Sequence, residues 1–139
     1  FILLVGNGVL YLNGYNQEER MTKPLYWVGQ ARKDLIAMPE HVWDTFGFAL
    51  WLAQQGKQHS QTKPLKGFGG AGVLEVVEDY HGNAWRAVYT IQLKNAVYVL
   101  HVFQKKSVSG KATPKPEIDL IYQRLKAAQR HAQESGYVT

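Results

Sequence analysis

The stretch Val73–Gln104 reads VLEVVEDYHGNAWRAVYTIQLKNAVYVLHVFQ, and it decides the fold. Three runs in it, Val73–Tyr80, Ala84–Leu93 and Ala96–Gln104, are rich in β-branched and aromatic residues. Such residues suit a pleated, half-buried surface. His81-Gly82-Asn83 separates the first two runs and Lys94-Asn95 the last two. Connections this short cannot carry the chain across a sheet, so the three runs are expected as an antiparallel meander. Side chains alternate between faces along a strand. Ala87, Tyr89 and Ile91 form the more continuously apolar set and are expected in the core. Arg86, Val88 and Thr90 then lie on the opposite face, which the reading leaves open to a ligand.

Upstream, Pro24–Val28 is a short strand candidate and Ala31–Met38 a short helix. Pro39 suits a first helical turn, where its missing N–H costs nothing. From Glu40 the residues Val42, Phe46, Ala49, Leu50 and Ala53 recur at helical spacing, and Gly56 is a natural stop. The tight junction at Pro39 makes the two helices a hairpin. Residues 57–72 read as a polar, glycine-rich connection. Downstream, a basic loop over 105–115 leads to Pro116 and a final helix to about Gln133, with Ile118, Ile121, Leu125, Ala128 and Ala132 on one stripe. The expected fold is α+β, with the helical hairpin and the C-terminal helix packed on one side of a small antiparallel β-sheet, over residues 23–136. Residues 1–22 are expected as an N-terminal extension, with a hairpin turning at Gly6-Asn7-Gly8 and a polar linker at Gln17–Arg20. Met21 is a candidate natural start.

The 139 residues fit one domain. A composition of 45% hydrophobic and 12% aromatic residues excludes a disordered chain. The absence of cysteine excludes a disulfide scaffold and a thiolate metal site. The longest apolar run, Phe1–Val5, falls far short of the ~20 residues that span a bilayer, and no basic region precedes it as in a signal peptide. A cytoplasmic protein without membrane contact is expected. The net charge is +5, and residues 57–115 hold nine Lys/Arg against three acids. A basic middle on a near-neutral scaffold points to a polyanionic partner, against the plain alternative of a solvated basic face.

Most chemical motifs fail on context. Gly67–Gly72 matches G-x-G-x-x-G but precedes a strand rather than linking a strand to a helix, so it reads as a turn. The five histidines lack metal-ligand spacing, the acids form no catalytic pair, and Ser107 and Ser109 sit in no nucleophile elbow. No metal and no cofactor is expected. What remains is Arg86 inside an apolar strand, grouped with Lys66, Lys105, Lys106 and His101. Such a cluster can cradle a phosphodiester. Lys105 and Lys106 are consecutive, so only one of them shares the face of Arg86.

Four segments carry a family resemblance: Lys23–Gly29 (KPLYWVG), Lys63–Gly70 (KPLKGFGG), Arg86–Thr90 (RAVYT) and Leu100–Ser107 (LHVFQKKS), followed by Thr113–Asp119 (TPKPEID). Together they resemble the phage-derived, HigB-type (Gp49-like) branch of the RelE/ParE toxin superfamily, over about Lys23–Glu134. The resemblance implies the toxin of a type II toxin–antitoxin pair, a metal-independent endoribonuclease that cleaves mRNA on the ribosome. It implies a helix-turn-helix antitoxin as partner, together with ribosome and mRNA. By position it matches Arg86 to the strand arginine on the scissile phosphate, Lys105 or Lys106 to the basic residue closing the next strand and Lys66 to the basic residue ahead of the meander, and His101 belongs to this branch's own pattern; the candidate set is thus Arg86, Lys105, Lys106 and His101 for catalysis and Lys63, Lys66 and Lys111 for RNA binding. The chemistry is compatible with this set: the substrate's own 2′-OH is the nucleophile, Arg86 grips a phosphate with two parallel donors, and a lysine among cations or His101 moves the proton. No counterpart of a C-terminal catalytic aromatic is evident. A ParE-like gyrase inhibitor and a non-catalytic RNA binder are the alternatives.

Overall fold

The computed structural model describes residues 2–5, 9–12, 22–70, 72–91, 95–105 and 112–135. The elements in chain order are β1 (Ile2–Val5), β2 (Val9–Leu12), β3 (Leu25–Trp27), α1 (Ala31–Ile36), α2 (Glu40–Gln54), β4 (Thr62–Pro64), β5 (Val73–Tyr80), β6 (Asn83–Thr90), β7 (Val97–Lys105) and α3 (Lys115–Ser135). β1 and β2 pair antiparallel, as the Gly6-Asn7-Gly8 signal implies, and form a separate two-stranded sheet. The other five strands form one sheet in the order β3-β7-β6-β5-β4.

The meander of β5, β6 and β7 is the antiparallel one expected. The β5–β6 turn is tighter than the sequence implied, because Asn83 already pairs with Tyr80. Its two connecting residues, His81 (φ 51°) and Gly82 (φ 78°), both take left-handed backbone. That conformation matches the twist of two-residue hairpins. Two features depart from the expectation. β3 joins β7 in parallel, with Leu25 opposite Val97, so the sheet is mixed rather than antiparallel. The connection 57–72 also contains an edge strand, β4, which pairs Thr62–Pro64 with Leu74–Val76. β4 has only three residues and ends in proline, too little pattern for alternation to reveal.

The helices cover both faces of the sheet, where one covered face was expected. α1 and α2 bury Leu35, Val42, Phe46, Ala49 and Leu50 against Leu74, Val76, Ala87, Tyr89, Val99 and Val102. Burial of each large apolar side chain contributes about 1.5–3 kcal/mol. α3 buries Ile121, Leu125, Ala128 and Ala132 on the opposite face, against Val88, Tyr98, Leu100 and Phe103. The loop residues Leu65 and Phe68 complete that second core.

A bulge in β7 sets which side chains reach which face. Val88 is opposite His101 and Tyr89 is opposite Val99, so Leu100 is an extra residue in β7. Val97 and Val99 face α2, but beyond the bulge the parity reverses and Val102 takes that face. His101, Phe103 and Lys105 are thereby turned onto the face of Val88 and Arg86. Re-aiming of side chains by one inserted residue is what bulges do in antiparallel sheets.

Candidate active site

Arg86 belongs to the face that α3 covers, not to an open one. It pairs in register with Val77 of β5 and Phe103 of β7, and only 8% of its surface is exposed. Its Nε is buried without a hydrogen-bond partner. Glu75 lies opposite Val88 on β5, and Lys105 lies opposite Ala84 on β7. Glu75, Arg86 and Lys105 therefore fall on one diagonal across three neighbouring strands, with Arg86 in the middle. Glu75 is 5% exposed and Lys105 4%.

The surroundings act on the lysine of this group. Burial, and next the positive charge of Arg86, lower the proton affinity of Lys105 below that of an ordinary lysine. Glu75 and Asp79 act in the opposite sense on the same ammonium. Glu75 Oε1 lies 3.6 Å from Nζ of the exposed Lys63, while its Oε2 is buried without a partner. The sheet thus holds an acid, an arginine and a lysine side by side, with one polar atom of the acid and one of the arginine unsatisfied. Isolated buried polar atoms of this kind are costly, and a catalytic role is one of the explanations they invite.

His101 is built into a different set of contacts. Its Nε2 is 2.8 Å from Glu117 Oε2 at the start of α3, and its Nδ1 is 3.2 Å from Arg124 Nη1. Arg124 also donates to the Leu100 carbonyl at 2.9 Å. The ring stacks on Phe103, with centroids 4.6 Å apart. Burial is the largest cause lowering its proton affinity, only partly offset by Glu117. Both ring nitrogens are occupied, so His101 as found here has no free nitrogen for a substrate.

A cleft of about 730 Å³ opens beside this face, lined among others by Asp34, Met38, Trp85, Phe103, Lys105 and Glu117. It runs along β7 between the end of α1 and the start of α3, and Lys105 is the member of the diagonal that lines it. Among the described residues no three His, Cys, Asp or Glu side chains gather as metal ligands would. No helix among them is long and apolar enough to cross a membrane.

Of the residues singled out in sequence, Arg86, Lys105 and His101 share one face, and Lys63 joins them through Glu75. Lys66 is exposed on the loop between the buried Leu65 and Phe68. Lys106 and Lys111 lie outside the described residues. Sequence reasoning missed Glu75, Glu117 and Arg124. Glu75 carried a signal, since it has the parity of Val73 and Val77 between the buried Leu74 and Val76. Glu117 and Arg124 had none, because the bulge that brings His101 to α3 is invisible in the strand pattern.

The model of the family described as phage-derived protein Gp49-like (DUF891) matches residues 33–126. The chain belongs to that family. No curated protein and no solved structure matches it. The match runs from α1 through the sheet to the middle of α3, so it contains the whole diagonal of Glu75, Arg86 and Lys105. The Gp49-like family is a RelE/HigB-like toxin family, in agreement with the resemblance carried by the four sequence segments.

Proposed function

We propose that this Gp49-like protein is the toxin of a toxin–antitoxin pair and acts as an endoribonuclease on ribosome-bound mRNA in the cytoplasm. One observation supports this above the rest: Arg86 and Lys105, two cations each more than nine-tenths buried, share one sheet face, with an unsatisfied Nε on Arg86. A buried guanidinium with a donor free is suited to grip a phosphate through parallel N–H bonds. Fixed cations aimed at charge that develops in the transition state are worth a few kcal/mol each. A lysine of lowered proton affinity beside a guanidinium favours proton-transfer chemistry on a phosphate over the two alternatives, gyrase docking and passive RNA binding, which need charge alone.

In this reading the 2′-OH of the cleaved nucleotide attacks the adjacent phosphate. Arg86 holds the non-bridging oxygens, and Lys105, with its lowered proton affinity, exchanges a proton during turnover. His101 positions β7 through Glu117 and Arg124 without touching substrate. Lys63, Lys66 and Lys111 attract the RNA backbone, and an antitoxin silences the protein by covering the cleft that Lys105 lines. The test is cleavage of mRNA on programmed ribosomes. The parent protein cuts, and Arg86→Ala loses on the order of 10²-fold or more in rate. A parental rate in Arg86→Ala, or no cleavage by the parent, refutes the reading.

A further inference from the structure

We propose that Tyr122, Lys126 and the glycine-rich loop with Lys66 form a stacking platform for single-stranded RNA, on the outer side of α3 and apart from the cleft. The inference rests on the endoribonuclease reading for the source of that RNA, the unpaired message next to the cleaved position, and adds a binding site to it.

The ring of Tyr122 carries it. Tyr122 is 49% exposed, the most among the large apolar side chains described. The ring is nevertheless held. Phe68 stands 5.6 Å away, centroid to centroid, with its plane tilted by 31°. That lies within the range of offset aromatic pairs. Lys126, one turn further along α3, sets its Nζ 5.3 Å from the ring centroid, inside the reach of a cation–π contact. A ring that is steadied, half open to solvent and paired with a cation meets the needs of a base-stacking site.

The loop supplies open backbone and charge. Gly67, Gly69 and Gly70 leave it without side chains on either side of Phe68, and a Cβ at any of the three would meet nothing within 4 Å. Bare backbone of this kind lets a ligand come close. The G-x-G-x-x-G stretch, a turn in the fold, thus borders the platform. Lys66, two residues before Phe68, is exposed, and Lys63 on β4 has 63% of its side chain exposed. Asp119, the acid one turn before Tyr122, is held by Lys115 at 2.9 Å. The charge offered beside the ring is therefore positive.

RNA fits this surface better than an acidic polypeptide does. A nucleic acid strand alternates anionic phosphates with flat rings, so it uses the cations and the tyrosine together. An acidic peptide uses the cations alone. The bases must be unpaired, because a duplex keeps their faces in its own stack. The message read by a ribosome is such a strand.

The test is fluorescence anisotropy of the full chain with a 2′-O-methyl oligoadenylate decamer, which offers bases and phosphates but no 2′-hydroxyl to attack. Tyr122→Ala and Tyr122→Leu are each expected to weaken binding about 5- to 150-fold, the usual worth of one stacked base, and Tyr122→Phe to keep it. An abasic decamer of equal charge should bind the parent and Tyr122→Ala alike. Lys66→Ala and Lys126→Ala should each lower the salt slope by about 0.7, the share of one phosphate in a single strand. In cleavage on programmed ribosomes, Tyr122→Ala should raise KM and leave kcat, because the lost contact binds substrate and transition state equally. Equal losses on the two decamers, or unchanged affinity in Tyr122→Leu, overturn the platform, while the parent's cleavage still upholds the endoribonuclease reading. A polyglutamate decamer that competes as well as the RNA also overturns it and makes the surface a protein contact. If the parent binds the decamer through Tyr122 yet cuts no mRNA, the platform stands and the endoribonuclease reading falls. Tyr122→Leu keeps an apolar contact with Phe68, so it decides if Tyr122→Ala does not fold.

Discussion

His101 Nε2 and Glu117 Oε2 stand 2.8 Å apart and tie the bulged strand β7 to the first turn of α3. The second ring nitrogen fixes the tautomer. Arg124 can only donate, so Nδ1 accepts and the proton sits on Nε2, donated to the carboxylate. A neutral imidazole between an acid and an arginine satisfies all three groups, and a second proton on it would face the guanidinium.

Stability should therefore fall in mild acid. Burial holds the folded His101 below its ordinary value of 6.5. The unfolded chain then takes up the proton first, and the folded state loses ground as pH drops below about 6.5. The slope from this one group is at most about 1.4 kcal/mol per pH unit. Urea melts between pH 8 and pH 5 measure it. His101→Gln should flatten the slope in that window; an unchanged slope would assign the acid sensitivity to other groups.

Gly29 should resist substitution for two separable reasons. Its φ of 58° is left-handed, and a Cβ there would meet Arg124 Nε and Nη2 at 2.9 Å. The backbone alone costs about 1–2 kcal/mol for a residue other than glycine. Gly56 has a similar φ of 78° with nothing within 4 Å of its Cβ position. Gly56→Ala thus measures the backbone cost, and Gly29→Ala should exceed it by the cost of displacing Arg124 from Leu100 and His101. Equal losses of Tm in the two variants would show that Arg124 moves aside freely.

The two-residue turn at His81-Gly82 offers a gain instead. His81 holds a φ of 51°, left-handed backbone that glycine and asparagine adopt more readily in two-residue hairpin turns. His81→Asn should raise stability by a few tenths of a kcal/mol up to about 1 kcal/mol, the range seen when a turn receives a compatible residue. The measurement is thermal unfolding at pH 8, and a drop in Tm would mean that the ring contact of His81 with Tyr80, at 4.0 Å, outweighs the backbone strain.

Much of this architecture was legible, and the limits have physical causes. Alternation placed Ala87 and Tyr89 in the core under α2, because no irregularity interrupts β6 before Thr90. The same alternation misjudged the exposure of Arg86, since a lone arginine beside valines reads as solvent-facing and nothing local reports that α3 and the 65–68 loop cover its face. β3 was recognisable as a strand, but its parallel pairing with β7 depends on where the intervening helices return the chain. The cations of the site were found by type and by family pattern. Glu75 was passed over, although its parity with Val73 and Val77 put it on the face of Arg86. An acid in a basic segment looks like a surface counter-charge until its burial is known.

Replacement of Lys105 distinguishes a fixed charge from a proton carrier. The side chain is 4% exposed, and burial and Arg86 together hold its proton affinity below the ordinary lysine value of 10.5. If the ammonium only neutralises phosphate charge, Lys105→Arg keeps that charge and should retain a large share of the rate. If it gives up its proton, arginine cannot replace it, because a guanidinium stays protonated throughout the accessible range. The proposed role predicts that Lys105→Arg falls about as far as Lys105→Ala, on the order of 10²–10⁴-fold. It also predicts an alkaline limb in the parent's pH–rate profile below pH 10.5, since activity is lost as the ammonium deprotonates through its lowered value. Both variants should still bind programmed ribosomes, with Lys105→Arg binding the more tightly of the two. Cleavage by Lys105→Arg within a few-fold of the parent, with its alkaline limb unmoved, would reduce Lys105 to an electrostatic contact and leave the leaving oxygen to be protonated from water.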